Sequence, residues 1–205
     1  MTPPASLQLV RLLQLASPAL PVGAYTYSQG LEWAVESGLI RDEASAGRWI
    51  ADLLGHGIGR YEAPLVAALM EAWAAARHPE IRRLNAEFLA SRESFELRAE
   101  TVQMGFSLRR LIRDLRDERL ACVAEQIETL PEVAFPVAWS GVAAQWGIPI
   151  EAALTAYLWS WAENQVMAAL KAVPLGQASG QRLLAGLGSQ IPAIAADARV
   201  RPEAA

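Results

Sequence analysis

Few side chains in this sequence could carry out chemistry, and their spacing does not assemble them into a reactive set. His56 and His78 each stand beside a glycine or proline turn, and neither has a His, Cys or carboxylate partner at helical ligand spacing. Cys122 is the one cysteine, which excludes an internal disulfide and fits a reducing cytoplasm. We expect it to be a small packed hydrophobe within a helix. The pattern predicts no catalytic residue, no metal site and no cofactor.

The glycine-rich segment Gly55–Gly59 is the one place where a phosphate-binding loop has to be considered. Its sequence is GHGIG, but no strand pattern precedes it, and no Gly-Lys-Ser/Thr follows it. The glycine spacing also differs from the dinucleotide-binding fingerprint. We therefore predict a helix terminus and a turn at this segment.

A rigid loop with polar side chains lies within Leu12–Gly38. Pro21 fixes φ and Gly23 tolerates a positive φ, so the turn between two helical patterns should be tight. Ser28 is a good N-cap for the helix that follows. The polar residues of this loop and of the helix start are Tyr25, Tyr27, Gln29 and Glu32.

A second polar group surrounds the helix break at Val173–Gln177. It consists of Lys171, Gln177, Gln181 and Arg182. Two interpretations of both groups stay open: they dock a partner protein, since ordered loops are where recognition usually occurs, or they tie helix ends together within one subunit. A third is an enzyme of unrecognised type with a polar pocket formed by Tyr25, Tyr27, Glu32 and Lys171.

Composition narrows the classes of partner. The 205 residues are 53% hydrophobic with a net charge of −4, which favours an apolar protein partner and disfavours nucleic acid. The N-terminus has no basic stretch before its apolar run, so no signal peptide is predicted. Prolines and glycines interrupt the weakly charged run 133–162 before it could span a membrane. We expect two buried helices joined at Gly147–Pro149, and a cytoplasmic protein without membrane association.

Helical periodicity recurs along the chain, and no strand-like alternation is sustained. We predict an all-α, single-domain bundle of roughly eight to ten helices with short connectors over residues 1–194, followed by a mobile tail over 195–205. Asp42, Pro64 and Pro79 mark helix starts. The helix after Ser91 should bury Phe95, Val102, Phe106 and Ile112 and expose its charges, Glu100 included. The residues expected in the core of the C-terminal half are Trp139, Trp146, Leu154, Leu158, Val166 and Leu170.

Three separated stretches resemble one family. SPALPVGAYTYSQGLE near the N-terminus, ETVQMG at 100–105 and AENQVMAALKAVPLGQASGQRLL at 162–184 resemble the urease accessory protein family UreF, in family order. Membership would imply a helical homodimer that joins the accessory protein UreD (also called UreH) and the GTPase UreG. That complex would deliver nickel to apo-urease, with this subunit as a possible regulator of GTP hydrolysis and not an enzyme.

The chain also departs from the family pattern. The family's usual Gly-Gln-Thr-Asp-Gly is here Gly176-Gln177-Ala178-Ser179-Gly180, so a role for an acid at this point does not carry over. Ala134 stands where a histidine often precedes the Phe-Pro pair, which argues against a metal contact there.

Overall fold

The helices begin and end mostly where prolines, glycines and capping residues predict. The computed structural model describes residues 3–23 and 28–200, and these ranges contain no strand, so the all-α prediction is confirmed. The first helices are α1 (Ala5–Ala16), α2 (Leu31–Glu36), α3 (Glu43–Asp52), α4 (Ala63–Ala74) and α5 (His78–Ala90). The later ones are α6 (Phe95–Leu115), α7 (Ala121–Glu128), α8 (Phe135–Gln145), α9 (Ile150–Ala172), α10 (Gln177–Gly188) and α11 (Ile191–Val200).

Capping explains several of these starts. The Asp42 side chain accepts a hydrogen bond from Ser45 N at 2.8 Å, and the Ser45 hydroxyl in turn accepts from Asp42 N, which forms the capping box of α3. Pro64 and Pro136 lie in the first turns of α4 and α8, where a missing N–H leaves no helical bond unmade.

The start of α2 differs from the prediction. Ser28 does not cap the helix, which begins only at Leu31 after Gly30 as N-cap. Gln29 and Gly30 have φ values of 49° and 87°, and two successive left-handed residues cannot belong to a right-handed helix. The Ser28 carbonyl instead accepts from Leu31 N in a turn.

Helices α4, α8 and α9 form the centre of the bundle. Helices α4 and α8 are buried on nearly all sides because their residues are apolar all round, and Trp73 Nε1 donates to Val137 O at 3.0 Å between them. Residues 147–149 join α8 to α9 as predicted. The residues expected in this core, Trp139, Trp146, Leu154, Leu158 and Val166, are buried, while Leu170 is only partly buried.

The buried face of α6 agrees with the prediction only in part, since Ile112 is buried and Val102 packs against the core. Phe95 and Phe106 are 82% and 49% exposed, whereas Glu100 is buried. The helix turns Gly105 toward the start of α8 because only a glycine can lie so close to the Val133 carbonyl oxygen, which is 1.9 Å from where a Cβ would stand. The face with Gly105 therefore sets the orientation, and apolar content alone does not reveal it.

Residues 55–59 do not form the predicted helix terminus and turn. They lie inside a π-helix, Leu53–Glu62, that joins α3 to α4 without a break. No proline interrupts the segment before Pro64, and a Cβ on Gly59 would lie 2.6 Å from Ile194. The absence of side chains at the glycines thus permits a close contact with α11 and does not end the helix.

Cys122 also differs from the prediction, because it is exposed. The inward positions of α7 are Val123, Gln126 and Ile127, and Cys122 precedes them on the outer side of the helix.

The chain remains helical past the predicted end of the ordered domain at residue 194. Ile191, Ala195 and Ala198 are buried in α11, which packs against α9 and α4. Pro192 lies in the first turn of this helix, a position that proline favours. Over the described residues, every helix is too short or too polar to cross a membrane.

Candidate functional site

The three sequence stretches that are separated along the chain meet around one cavity. The first contributes Ser17, Leu20, Val22 and Gln29, the second contributes Glu100, Thr101 and Met104, and the third contributes Glu163, Asn164 and Gln165. The other polar lining groups come from Glu62, Arg92, Tyr157, Ser160 and Trp161. The cavity has a volume of about 80 Å³, enough for several water molecules. The described parts of the motif stretches therefore share one location, although each lies on a different element.

Gln29 joins two helices across this cavity. Trp161 Nε1 of α9 donates to Gln29 Oε1 at 2.8 Å, and Gln29 Nε2 donates to Glu100 Oε1 of α6 at 2.8 Å. The left-handed backbone at Gln29 aims the side chain inward, away from the exposed face of α2. Its amide is thus engaged within the subunit, as the structural interpretation of this residue requires.

Glu62 is one of two buried acids of the site among the described residues. The π-helix ends at this residue, where the Tyr157 hydroxyl donates to Glu62 Oε1 and Arg92 Nη1 lies 3.5 Å from Glu62 Oε2. Burial raises the pKa of Glu62, and the Arg92 charge and the Tyr157 hydrogen bond only partly oppose this. Burial and the nearby Glu62 charge also raise the pKa of Tyr157 well above its usual value.

Glu100 also lines the cavity and is the only other buried acid among the described lining residues. Burial raises the pKa of Glu100 to about 7, the hydrogen bond from Gln29 opposes the rise, and the Glu62 charge adds to it. A carboxyl group with such a pKa exchanges its proton near neutral pH. The cavity therefore changes charge within the physiological range.

Arg92 supplies the positive charge at the cavity. Its guanidinium carbon lies 4.0 Å from the centre of the Phe88 ring, a cation–π contact. It follows α5 directly, so the end of that helix positions the cation opposite Glu62.

The described residues of the site do not form a catalytic or metal-binding set. In the described ranges, no three His, Cys, Asp or Glu side chains are placed to hold a metal ion. His56 is exposed, and His78 contacts Gln126 Oε1 through Nδ1, but neither lines the cavity. What the arrangement can do is hold protons and accept hydrogen bonds.

The second predicted group lies at the surface, outside the cavity lining. Lys171, Gln177 and Gln181 are exposed. Arg182 binds Glu43 of α3 with two hydrogen bonds, at 2.8 and 2.6 Å, and these lower the pKa of Glu43 to about 2. Arg182 therefore ties α10 to α3, whereas the other three side chains are available to a partner.

Of the four residues predicted for the alternative enzyme pocket, the structure describes only Glu32 and Lys171. Glu32 lies on the exposed side of α2 and, like Lys171, does not line the cavity. Tyr25 and Tyr27 fall at 24–27, outside the described residues.

Sequence reasoning missed all four charged groups among the described lining residues, namely Glu62, Arg92, Glu100 and Glu163. Glu100 was assigned to a solvated face because its neighbours are charged. One usable signal was present: Glu100 lies five residues before Gly105 within a motif stretch, and the close contact at Gly105 brings that part of α6 against the bundle.

Comparisons with known proteins agree on one family. A family model described as UreF matches residues 40–188. The urease accessory protein UreF of Dechloromonas aromatica (strain RCB) is 78% identical over 197 residues, which are 96% of this chain and 86% of that protein.

Two further relatives extend this similarity. The urease accessory protein UreF of Azoarcus sp. (strain BH72) is 62% identical, with 97% of this chain and 85% of that protein aligned. The bifunctional urease accessory protein UreEF of Bordetella bronchiseptica is 48% identical over 95% of this chain and 45% of its own length. The chain therefore belongs to the UreF family, whose members are non-catalytic urease accessory proteins.

Proposed function

We propose that this chain bridges a UreD/UreH-like accessory protein and a UreG-like GTPase during assembly of the nickel centre of urease. It acts as a homodimer in the cytoplasm, presents the assembled complex to apo-urease, and regulates GTP hydrolysis by the GTPase. Family membership supports an accessory role, and the particular partners follow from the resemblance of the three motif stretches.

The observation that carries a binding role is an apolar face on α1. Leu9, Val10 and Leu13 are adjacent on one side of this helix and are all more than half exposed. The opposite side holds Arg11 and Leu15, which are buried. A helix that buries one face and leaves leucines on the other favours association with a second protein.

The name of one relative supports close cooperation between accessory proteins. The Bordetella bronchiseptica protein is described as a bifunctional UreEF, and this chain aligns with 45% of it. A UreF-like region thus occurs in one polypeptide with a second accessory function, and we infer that this chain works in contact with such partners.

Lys171 is the best candidate contact for the GTPase. It is exposed in the last turn of α9 and is the only lysine of the sequence. Gln177 and Gln181 are exposed on the helix that follows. We assign the docking role to these three side chains, together with Tyr25, Tyr27 and Glu32 as expected from the sequence. Gln29 and Arg182 have internal hydrogen-bond partners that favour a structural role.

Regulation of hydrolysis has a physical requirement. A bound protein changes the rate of a GTPase only if it binds the states of the switch segments unequally. The proposal therefore predicts that the affinity of this chain for the GTPase differs between its GTP-analogue and GDP forms.

The single lysine permits a direct test. An amine-reactive reagent modifies only Lys171 and the terminal α-amine, so the α-amine is an internal control. We expect modification of Lys171, and not of the α-amine, to slow when the UreG-like GTPase joins the complex with the UreD-like protein.

Substitution completes the test. Lys171→Ala should leave the thermal midpoint unchanged and reduce GTPase co-purification and activation of apo-urease, whereas Arg110→Ala, at another exposed cation, should reduce neither. The bridging role is wrong if the unmodified chain does not co-purify with both partners. If it does, and Lys171→Ala binds normally, only the contact assignment is wrong.

A further inference from the structure

The cavity described above has more negative than positive groups. Among its described lining residues, Glu62, Glu100 and Glu163 carry carboxyl groups and Arg92 alone carries a cation. Arg92 contacts Glu62 and lies over Phe88, so it is already engaged. Neither Glu100 nor Glu163 forms an ion pair with a described residue, and of the two only Glu100 is influenced by the Arg92 charge, which weakly lowers its pKa.

A buried hydrogen-bond acceptor at the same cavity lacks a partner. Gln165 is 1% exposed, lines the cavity, and its Oε1 accepts no hydrogen bond from the described residues. A buried acceptor without a donor destabilises the protein, by about 1–3 kcal/mol in typical cases. Less than 1 Å² of this oxygen is accessible, so a ligand that donates hydrogen bonds would remove the penalty once the Gln165 amide turns its oxygen toward the cavity.

The walls limit the kind of donor that fits. Leu15, Leu20, Val22, Met104 and Phe135 give the cavity apolar sides, while Ser160, Glu163 and Asn164 are half-buried near its polar rim. Apolar sides around a negative interior suit an alkyl stem with a cationic end. A metal ion fits the cavity less well than an alkyl cation, because the described residues offer no cluster of three ligating side chains.

We propose that this cavity binds an alkylammonium or alkylguanidinium group, with the carboxylate of Glu100 and the amide oxygen of Gln165 accepting its hydrogen bonds. The group has two possible sources, a lysine or arginine side chain of another protein or a free amine. This proposal concerns the cavity alone and does not depend on the bridging role.

Binding is coupled to a proton. Glu100 faces Glu62 at the end of the π-helix, Arg92 after α5, and Tyr157 and Glu163 of α9. The pKa of Glu100 is raised by burial to about 7, and a bound cation would lower it, so Glu100 must lose its proton for full affinity. The ionised fraction rises about tenfold between pH 6 and pH 8, and the affinity for a cation should rise by the same factor.

The test uses n-butylammonium as the probe, with 1-butanol as a neutral molecule of the same chain length. Titration calorimetry on the full chain should detect n-butylammonium, with affinity about tenfold higher at pH 8 than at pH 6, and should not detect 1-butanol. Glu100→Gln keeps an acceptor for Gln29 but no charge, and should lower the affinity at pH 8 about tenfold and reduce its pH dependence, with a residual dependence from Glu62 and Glu163, whose pKa values burial also raises. Glu151→Gln, at an exposed acid of α9, should change neither.

A second variant tests the proposal independently of Glu100, and a second probe distinguishes the two sources of the cation. Glu163→Gln, at the rim, should also weaken binding, which keeps the proposal testable if Glu100→Gln fails to fold. Binding of Nα-acetyl-lysinamide in addition supports a protein side chain as the source, and binding of n-butylammonium alone supports a free amine.

Three results would overturn the proposal. They are equal affinity for 1-butanol and n-butylammonium, unchanged affinity in both Glu100→Gln and Glu163→Gln, and displacement of the probe by Zn²⁺ at far lower concentration, which would indicate a metal site.

Discussion

For single residues of the cavity, the residue type read from the sequence does not show whether the side chain is buried or exposed. Glu100 stands in a run of charged residues on α6, yet it is buried and bound by Gln29 from a segment 71 positions away. Charge in a helix normally indicates a solvated face. Glu100 is buried because Gly105 of the same helix packs against Val133, a residue that is distant in the sequence.

The protonation of Glu100 should be visible in the stability of the chain. Its pKa is raised by burial to about 7 in the folded protein, above the usual value of about 4.3 in an unfolded chain. The folded state then binds the proton more tightly, so this contribution is complete at low pH and is lost as the pH rises through 7. We expect the free energy of unfolding to fall between pH 5.5 and 8, by about 2 kcal/mol from this group.

Glu100→Gln, which cannot ionise, should flatten that dependence in urea unfolding at several pH values. Some slope should persist, because burial raises the pKa of Glu62 and Glu163 as well. Glu151→Gln should retain the slope of the unmodified chain. An unchanged slope in Glu100→Gln would show that this group does not hold its proton near neutral pH.

Gly105 should tolerate no side chain. A Cβ at this position would lie 1.9 Å from the Val133 carbonyl oxygen, so α6 and α8 would have to separate. We expect Gly105→Ala to lower the free energy of unfolding by about 3 kcal/mol or more, measured by urea denaturation.

Gly186 provides the matched control for this substitution. It lies within α10, and a Cβ there would have no neighbour within 4 Å. Gly186→Ala should stabilise the protein by about 0.5–1 kcal/mol. A similar effect of the two substitutions would contradict the close approach of α6 to residue 133.

At the scale of the elements, helix existence was predictable and helix orientation was not. Helix ends depend on local backbone preferences, which are set by adjacent residues and can be recognised in the sequence. Examples are Asp42, Pro64 and the break at Val173–Gln177. Which face of α6 is buried depends instead on a long-range contact. The same reason explains why the motif stretches could be found from sequence but their common cavity could not.

The last helix illustrates the same limit and permits a test. Ile191, Ala195 and Ala198 of α11 are buried, and burying an isoleucine side chain alone contributes about 1.5–3 kcal/mol. Truncation after Gln190 should therefore lower the thermal midpoint of the isolated chain by about 5 °C or more.

Truncation after Val200 is the control, since it leaves α11 complete, and should leave the midpoint unchanged. Hydrogen exchange of the isolated chain should also show protection at 194–200. If truncation after Gln190 is neutral, α11 does not stabilise the free subunit, and the sequence-based expectation of a mobile end from that region would hold.

At the scale of the whole molecule, the bundle has an extensive apolar core, yet some large apolar side chains remain exposed to solvent. The exposed set includes Leu9, Val10 and Leu13 on α1, Trp33 on α2 and Phe95 on α6. Only the α1 residues are adjacent along one helix face. Scattered exposed hydrophobes are normal for a folded protein, whereas a contiguous group indicates a partner.

We therefore expect the α1 face to form the contact of the proposed homodimer. Leu9→Ser combined with Leu13→Ser removes apolar surface only from the exposed side of the helix, so the thermal midpoint of the dissociated chain should change little. Light scattering at tens of micromolar should give twice the mass of one chain for the unmodified protein and the mass of one chain for the double variant. Phe95→Ser, at an exposed residue of α6, should remain dimeric. A double variant that stays dimeric would place the dimer contact elsewhere and leave the α1 face to a different accessory protein, whereas a monomeric unmodified chain would contradict the homodimer itself.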